Sequence, residues 1–421
     1  MSPHHSPHEL LHHLRVALSG IATSFKRVRR WSPPSVITAV LLLTRPDQRS
    51  SYSTLLTSLA EETCRWLGWA NAPTRSSLSV ARRKVPVATF RRVLHQLVDH
   101  LSGILPGALR HHIDRRFFAV DATSLVCPRS PSLLKNLSRP HVNQWLLAHY
   151  PRALVVVAFD VIRRLPLEWV LLPKGRGERA AMAPLMNRLR RGDVLILDRG
   201  YPARWLLASF ISHGVDVVMR MTAAKAGSWP EVQDFIASGA KAAVISISLG
   251  NGKFADVRLL RRNPPRGRPL KHQRRETMVV LTTLLPRQGF EAQDIFDLYG
   301  RRWDIESLFR EMKEAFTIER FHARTLDGIQ QEIATVLMWM ALTAVIQAAV
   351  QDGLTDGKRA NRTACREVAR ICLVNAIAGR ATNVERLITE ARRHAYKPRP
   401  GRSFPRVSKL PFGRTKNRSA K

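Results

Sequence analysis

A change in hydrophobic periodicity near residue 115 is the feature that most constrains the fold of this 421-residue chain. Up to about Gly107, apolar residues recur at the three- and four-residue spacing of amphipathic helices. From there to about residue 221, short apolar runs follow in the order strand, strand, strand, helix, strand, helix, strand. Arg163 and Arg164 separate the second and third runs, which predicts a hairpin. The alternation predicts an α/β fold with helices packed on a mixed sheet.

The regions on either side of this core differ in pattern. Three strand-like runs after residue 221, interrupted by a basic Pro/Gly-rich loop from Arg261 to Arg275, indicate a separate β-rich piece. Helical periodicity then returns, and the Lys-, Arg- and Pro-rich end of the chain is expected to be disordered. The expected regions are a helical N-terminal region (1–110), the first part of the sheet core (111–221), a β-rich insertion (222–287), C-terminal helices (288–394) and a basic tail (395–421).

A basic helical hairpin is predicted near the end of the N-terminal region. Thr74 or Ser76 can cap a short helix, and Pro86 separates it from a second helix. The first helix carries Arg75, Arg82, Arg83 and Lys84. Two short helices with a basic face are typical of a helix-turn-helix DNA-binding unit, although a solvated basic hairpin has the same pattern.

The segment from Ile333 to Val350 is long enough to cross a bilayer, at about 1.5 Å of rise per residue. Thr335, Thr343 and Gln347 interrupt its apolar character, and no second span is present in the sequence. We therefore expect a buried core helix and no membrane association.

The balance of charges indicates the class of partner. Lys and Arg total 68 against 32 acidic residues, a net charge of +36, which favours binding to nucleic acid. The four cysteines form no Cys-x-x-Cys pair, which argues against a zinc finger or a disulfide framework and fits a reducing cytoplasm. A ribosomal-type or simply arginine-rich protein is the alternative.

Two aspartates follow predicted strands, Asp121 in FFAVD and Asp198 in VLILD. Carboxylates at neighbouring strand ends converge on one crevice and can hold hard divalent cations. Each aspartate alone could instead cap a turn, and Asp160 is a rival on the same reasoning. Asp114 and Asp193 precede their strands, so we expect them at the opposite edge of the sheet.

A third candidate carboxylate lies on a predicted helix, LYGRRWDIESLFREMK. At about 100° per residue, Tyr299, Arg302, Glu306 and Lys313 fall within an arc of about 60°. Leu298, Ile305, Phe309, Met312 and Phe316 form the expected buried stripe beside them, while Asp304, Glu311 and Glu314 point elsewhere and are expected to be solvated. These four aligned side chains suit metal-dependent phosphodiester chemistry. An ordinary helix surface with salt bridges explains the same pattern equally well.

Tyr299-x-x-Arg302-x-x-x-Glu306-x-x-x-x-x-x-Lys313 resembles the signature of the insertion-sequence-4 family of transposases. AVDATSL at Asp121 and DRGYP at Asp198 resemble the first and second acidic motifs of that family. The resemblance spans about Thr74 to Val350. It implies an RNase H-like mixed-sheet core with a β-rich insertion, preceded by an all-α DNA-binding region and followed by C-terminal helices.

The resemblance also implies roles for individual residues. Asp121, Asp198 and Glu306 would be the catalytic metal ligands for Mg²⁺, for which Mn²⁺ can substitute. Trp303 would stack on displaced bases, with a partly buried aromatic as its alternative, and Trp229 is a weaker candidate of the same kind. The implied DNA contacts are Tyr299, Arg302, Trp303, Lys313 and Arg199, to which the basic hairpin adds Arg82, Arg83 and Lys84.

The function implied is cut-and-paste DNA transposition. The enzyme would cleave double-stranded DNA at terminal inverted repeats and join the ends to target DNA, as a homodimer in the bacterial cytoplasm, associated with the nucleoid. A metal-dependent nuclease of the same fold and a domesticated DNA-binding protein without catalysis are the alternatives.

Overall fold

The computed structural model describes residues 10–19, 21, 31–47, 51–59, 73–107, 115–144, 146–173, 175–224, 227–250, 252–263, 277–355 and 357–398. Three predictions fall outside them: those on Asp114, on most of the basic loop and on the tail from residue 399. The first residues of the predicted tail are described. Tyr396 forms a backbone bridge with Arg359, so order extends beyond the predicted limit of residue 394.

A single sheet of eight strands forms the centre of the described structure. The strands are β1 (Phe117–Val126), β2 (Arg152–Asp160), β3 (Leu165–Leu171), β4 (Val194–Leu197), β5 (Asp216–Met221), β6 (Ala242–Gly250), β7 (Lys253–Arg262) and β8 (Met278–Thr282), in the order β3-β2-β1-β4-β5-β8-β7-β6. β1, β2 and β3 are antiparallel neighbours, and β4 and β5 add parallel to β1. This arrangement of the first five strands is RNase H-like, which confirms the predicted core and the predicted hairpin at Arg163 and Arg164.

The β-rich segment is not a separate piece, and that part of the prediction is wrong. β8 pairs antiparallel with β5, and β7 and β6 continue outward from it, so these strands extend the core sheet. The reason is that β5 would otherwise be an edge strand with unpaired backbone groups, which β8 covers. Arg204 also ties the segment to the core, since its guanidinium pairs with Glu231 and donates to the Ser248 carbonyl.

Helices pack on the sheet and extend from both ends of the chain. Those of the N-terminal half are α1 (Leu10–Ser19), α2 (Pro33–Leu43), α3 (Tyr52–Leu59), α4 (Arg75–Lys84), α5 (Val87–Ile104) and α6 (Pro131–Asn136). The others are α7 (Met182–Met186), α8 (Arg204–Ser212), α9 (Pro230–Ala237), α10 (Ala292–Gly300), α11 (Trp303–Glu314), α12 (Leu326–Asp352), α13 (Arg362–Ala378) and α14 (Val384–Arg393). The first helix expected between the strands of the core, over residues 178–191, is instead a 3₁₀ helix, Glu178–Ala181, followed by the single turn of α7.

The long apolar helix α12 is the core of the helical layer, as predicted. It is the one helix in the described ranges that is long and apolar enough to cross a bilayer, but 89% of its most apolar window is buried inside the protein. The polar residues that interrupt it are satisfied by the protein: Thr335 accepts from Thr44, Thr343 donates to the Trp339 carbonyl, and Gln347 accepts from Arg362. α12 contacts β3, α2, α5 and α13, so it joins the sheet to the helices of both chain ends.

The basic hairpin forms as predicted, with Thr74 capping α4 and a break at Pro86, but Arg82 does not belong to an exposed basic face. Arg82 is 4% exposed and pairs with Glu332 of α12 at 2.9 Å. Its guanidinium also donates to Gln331 and to the hydroxyl of Tyr52. The prediction that Arg82 contacts DNA is therefore wrong, because tertiary packing turns this position towards α12. Arg83 and Lys84 are exposed, and their role in DNA binding stays a prediction.

We expect Arg82→Met to lower the free energy of unfolding by about 3–5 kcal/mol, because it leaves the Glu332 carboxylate buried without its cation. Arg83→Met, at the exposed neighbouring position, is the matched control and should change stability by about 0.5 kcal/mol or less. Chemical denaturation followed by circular dichroism measures both. Equal stability of the two variants would contradict the structural role assigned to Arg82.

Candidate active site

The register between β1 and β4 brings the two predicted aspartates together. Phe117 pairs with Val194 and Ala119 with Ile196, and continuing this parallel register by two residues places Asp121 beside Asp198. Because side chains alternate along a strand, both carboxylates leave the sheet on the same side. Asp198 directly follows the short strand β4, as predicted. Asp121 lies in the middle of β1, which continues to Val126, so its predicted position at a strand end is wrong.

The rival aspartates lie elsewhere. Asp160 ends the antiparallel strand β2 opposite Phe118, at the other edge of the sheet from Asp198. It is 2% exposed and accepts hydrogen bonds from the backbone N–H groups of Ile162 and Arg163, so it caps the β2–β3 turn. Asp193 also lies at that edge, as predicted, where it pairs with Arg116 at 2.6 Å. Neither aspartate belongs to the candidate site.

The helix that carries the third acid is broken into two. α10 ends at Gly300, and tight i→i+3 hydrogen bonds across Arg301 and Arg302 precede the start of α11 at Trp303. The predicted single line of side chains is therefore interrupted between Tyr299 and Arg302. The predicted buried stripe is confirmed for all its members: Leu298, Ile305, Phe309, Met312 and Phe316. Because α11 packs against β1 through this stripe, Glu306 is held on the side of Asp121.

Arg302 bridges the acids of the two elements. Its Nη1 lies 3.2 Å from Oδ2 of Asp121, and its Nη2 lies 2.8 Å from Oε1 of Glu306. The guanidinium is largely buried and also lies over the Trp303 ring, 5.1 Å from its centroid. Tyr299, which is 7% exposed, lies close to Arg302, and burial raises the pKa of its phenol. The cation therefore holds together residues from β1, α10 and α11.

The charges of Asp198 and Glu306 both act on Asp121. Burial raises the pKa of Asp121, and the charges of Asp198 and Glu306 raise it further, against the opposing effects of the Ala122 N–H and Arg302. Like charges at short range in a poorly solvated site disfavour ionisation unless a cation compensates them. Carboxylate oxygens are the donors that Mg²⁺ and Mn²⁺ prefer, so the donor set fits such an ion.

The three acids nevertheless do not surround a single position for an ion. Within the part of the chain that is described, no three acidic, histidine or cysteine side chains lie close enough together to enclose one ion. The Arg302 guanidinium stands between Asp121 and Glu306 instead. The fold thus brings the three acids near one another and pairs two of them with an arginine.

Comparison with known proteins identifies the family. Residues 112–342 match the profile of the family described as Transposase DDE domain, which is more than half of the chain. The chain belongs to this family.

A search among solved structures finds similarity to the chain in the cryo-EM structure of a piggyBac transposase synaptic complex with hairpin DNA. The two chains are 12% identical, the alignment covers 96% of this chain and 86% of the piggyBac chain, and the TM-score is 0.45. No curated protein sequence matches the chain.

The predicted DNA contacts of this DDE-domain chain differ in their exposure. Trp303 is 60% exposed, so it is not the partly buried aromatic of the alternative, and the Arg302 guanidinium lies over one face of its ring. Arg199 is exposed, and Lys313 is half-buried. Trp229 is half-buried under the guanidinium of Arg204, 4.7 Å from its centroid, so its ring already has a cation on one face.

Two further predictions concern acids on α11. Glu311 was expected to be solvated, but its side chain is 9% exposed and pairs with Arg362 at 3.1 Å and Arg366 at 3.4 Å. Asp304 is half-buried and lies 3.5 Å from Arg164, so it too has a partner. Only Glu314 is exposed as predicted. Helical periodicity gives the direction of these side chains but not the arginines that α13 and the β2–β3 turn bring to them.

Sequence reasoning missed Glu178 and Tyr201, which lie near the aspartate pair. The charges of Asp121 and Asp198 raise the pKa of both side chains, in each case after a larger effect of burial. Tyr201 belongs to the DRGYP motif and could have been found there. Glu178 lies in a Gly-rich loop and a 3₁₀ turn without helical or strand periodicity, so no spacing rule indicates it.

The raised pKa of Asp121 gives a stability prediction with a definite sign. In the absence of metal, the folded state holds this proton more tightly than the unfolded chain, so the free energy of unfolding falls as pH rises above the ordinary aspartate range. The substitution Asp121→Asn removes this pH-dependent loss of stability, because the amide does not ionise. In EDTA at neutral pH, we expect this variant to unfold at the same temperature as the wild type or higher.

Added Mg²⁺ should reverse the order of stability, so that the wild type unfolds at a higher temperature than the Asp121→Asn variant. At a hundred times its Kd, the ion should stabilise the wild type by about 2.7 kcal/mol and the Asp121→Asn variant by less. Glu390→Gln, an exposed position on α14, serves as the control for loss of one negative charge. Thermal unfolding with and without Mg²⁺ measures the effect, and equal stabilisation of all three proteins would exclude Asp121 as a ligand.

Proposed function

We propose that this chain is a DNA transposase of the insertion-sequence-4 type, which cleaves DNA at the ends of a mobile element and joins them to target DNA. The observation that carries the proposal is the convergence of Asp121, Asp198 and Glu306, which the β1–β4 register and the packing of α11 produce within a transposase DDE domain. The Tyr-Arg-Glu-Lys spacing on α10 and α11 supports the finer family assignment.

The three carboxylates would hold Mg²⁺ or Mn²⁺, which when bound supplies Lewis acidity for in-line displacement at phosphorus. The protein's own contribution begins with Arg302, which shields Asp121 and Glu306 from each other before an ion arrives. The planar N–H groups of the Arg302 guanidinium would also suit a phosphate of the bound strand. The phenol of Tyr299, packed beside Arg302, limits where that guanidinium can move.

Trp303 extends the site outward from Arg302. Its exposed ring follows the bridging arginine directly in sequence, so a base next to the cleaved phosphodiester would meet it. Stacking of a base on an exposed aromatic ring contributes about 1–3 kcal/mol without reading sequence. This fits the handling of bases that are displaced at a cleaved end.

A groove beside α11 offers a path for the DNA backbone. It has a volume of about 1430 Å³ and runs between the β2–β3 turn, α10, α11 and the segment before α13. Exposed basic side chains line it without an acidic partner among the described residues: Arg301, Arg310, Lys358 and Arg359. Arg310 lies one helical turn beyond Glu306, so the groove borders the candidate active site.

We expect removal of these cations to weaken DNA binding in a salt-dependent manner. The double variant Arg301→Ala/Arg310→Ala should reduce the slope of log K against log salt by about 0.9 for each phosphate that the protein no longer neutralises. Arg301→Lys/Arg310→Lys is the matched control and should keep the slope, since it preserves the charges. Fluorescence anisotropy with duplex DNA at several salt concentrations measures this, and an unchanged slope for the alanine variant would exclude the groove as a path for DNA.

The decisive test of function is cleavage and joining of labelled DNA that carries the inverted repeats flanking this reading frame. In Mg²⁺ we expect cuts at the repeat boundary and strand-transfer products, with neither in EDTA. Glu306→Gln should reduce both products by at least about a hundredfold, because it removes a metal ligand. Glu390→Gln, an exposed acid on α14 outside the groove, should keep activity close to that of the wild type.

The products distinguish the proposal from its alternatives. Hydrolysed ends without strand transfer would indicate a nuclease, and tight binding without cleavage by the wild type would indicate a DNA-binding protein. Cleavage that survives Glu306→Gln would exclude this acid as the third ligand. We extend the proposal to a homodimer that holds two element ends, which size-exclusion chromatography with and without repeat DNA tests directly. We also place this dimer in the bacterial cytoplasm, at the nucleoid.

A further inference from the structure

Residues 138–152, of which the structure describes all but residue 145, form a short antiparallel hairpin between α6 and β2. We call this segment the β1–β2 hairpin. Ser138 pairs with Arg152 at its base. Nearer the tip, the Val142 N–H donates to the Leu146 carbonyl at 2.7 Å. These backbone hydrogen bonds fix the path of the chain, so the side chains at the tip are held away from the core.

The tip of the β1–β2 hairpin exposes large apolar and aromatic side chains. Val142, Leu146, Leu147 and Tyr150 are between 38% and 52% exposed. Eleven side chains of this kind are exposed among the described residues, and these four lie within nine residues of sequence. Single exposed apolar residues are ordinary on a soluble protein, whereas a group of them marks a surface that binds a partner.

The charges of the hairpin indicate the class of partner. The sequence from residue 122 to residue 159 contains no Asp or Glu, but it contains four Arg or Lys residues. The exposed Arg129 donates to Nδ1 of His149 at 3.1 Å, and the His149 ring lies edge-on to Tyr150. A basic surface with an apolar tip is complementary to DNA, which has phosphates outside and stacked bases inside. A second copy of this chain would carry the same net charge of +36 and be repelled.

The hairpin also stands at the edge of the sheet where the acids lie. β1 continues for five residues beyond Asp121 to Val126, which pairs with Arg152 at the base of the hairpin. At about 3.4 Å per residue, this part of the strand is about 17 Å long. Since each base pair of a duplex also rises about 3.4 Å, DNA held at the acids would meet the hairpin roughly five base pairs away or further.

We propose that the β1–β2 hairpin is a wedge, which inserts its apolar tip between stacked bases of the DNA bound at the candidate active site. This inference rests on the proposed function, which supplies the duplex. Apolar side chains that enter a base step unstack it and bend the DNA. Contacts of the tip with base faces, and of the neighbouring cations with phosphates, offset the cost of unstacking. The wedge therefore acts at a distance from the cleaved bond, unlike Trp303.

The test uses the full-length protein and a duplex that carries the inverted repeat flanking this reading frame, with the fluorescent base 2-aminopurine placed at successive positions. Unstacking increases the fluorescence of this base. The wild type should raise the signal several-fold at one step, roughly five base pairs or more from the cleaved bond. Leu146→Ser/Leu147→Ser should abolish this increase. Val244→Ser/Phe254→Ser, which replaces two exposed apolar residues on β6 and β7, is the matched control and should keep it.

Two further measurements separate base insertion from other roles of the hairpin. The two leucines neutralise no phosphate, so Leu146→Ser/Leu147→Ser should leave the slope of log K against log salt unchanged. Because both side chains are exposed, the double variant should unfold at the temperature of the wild type. A lower unfolding temperature would indicate a structural role and overturn the proposal.

The remaining outcomes distinguish the wedge from other partners and from the proposed function. A fluorescence increase that is absent in the wild type, or unchanged in Leu146→Ser/Leu147→Ser, would overturn the wedge. An unchanged increase together with lost binding to phosphatidylglycerol vesicles would assign the tip to a membrane, and together with a lost dimer to a second copy. An increase that depends on the leucines, in a protein that does not cleave, would support the wedge while the proposed function fails. Cleavage and strand transfer without any increase would overturn the wedge alone.

Discussion

The parallel pairing of β1 with β4 is the constraint on which the candidate site depends. Asp121 and Asp198 are far apart in sequence, and only this register places them side by side with both carboxylates on one face. A slip of one residue would turn Asp121 to the opposite face, because side chains alternate along a strand. The buried residues Phe117 and Ile196 belong to the same two strands, so the packing of the sheet and the geometry of the acids are fixed together.

This convergence of like charges is a local disadvantage that the rest of the fold must offset. Asp121, Asp198, Glu178 and Glu306 lie close enough for their charges to act on one another, and one arginine compensates two of them. The stabilising interactions lie elsewhere, chiefly around α12, whose buried surface joins the sheet to helices from both ends of the chain. Under the proposed function, a bound cation would relieve this repulsion.

Residues whose environment is local could be predicted from the sequence. The stripe on α11, the strands of the core and the hairpin at Arg163 follow from periodicity and turn chemistry, and each is confirmed. Arg82 and Glu311 were predicted wrongly, because their partners Glu332, Arg362 and Arg366 come from distant helices that no local pattern reveals. The pairing of β8 with β5 was not predicted for the same reason. Which strand lies at the edge of a sheet is known only once the order of the strands is known.

The helix α11 links the packing of the core to the candidate site and to the groove. Its buried residues Ile305, Leu308 and Met312 fix the rotation of the helix against the sheet. With that rotation fixed, Glu306 is directed towards Asp121, and Arg310, one turn further along, faces the groove. The break at Arg301 and Arg302 is consistent with this arrangement, since the tight turn lets Arg302 reach both acids while Trp303 points to solvent. Core packing, the charge bridge and the surface proposed for DNA thus all depend on α11, so a change in its apolar face would disturb all three.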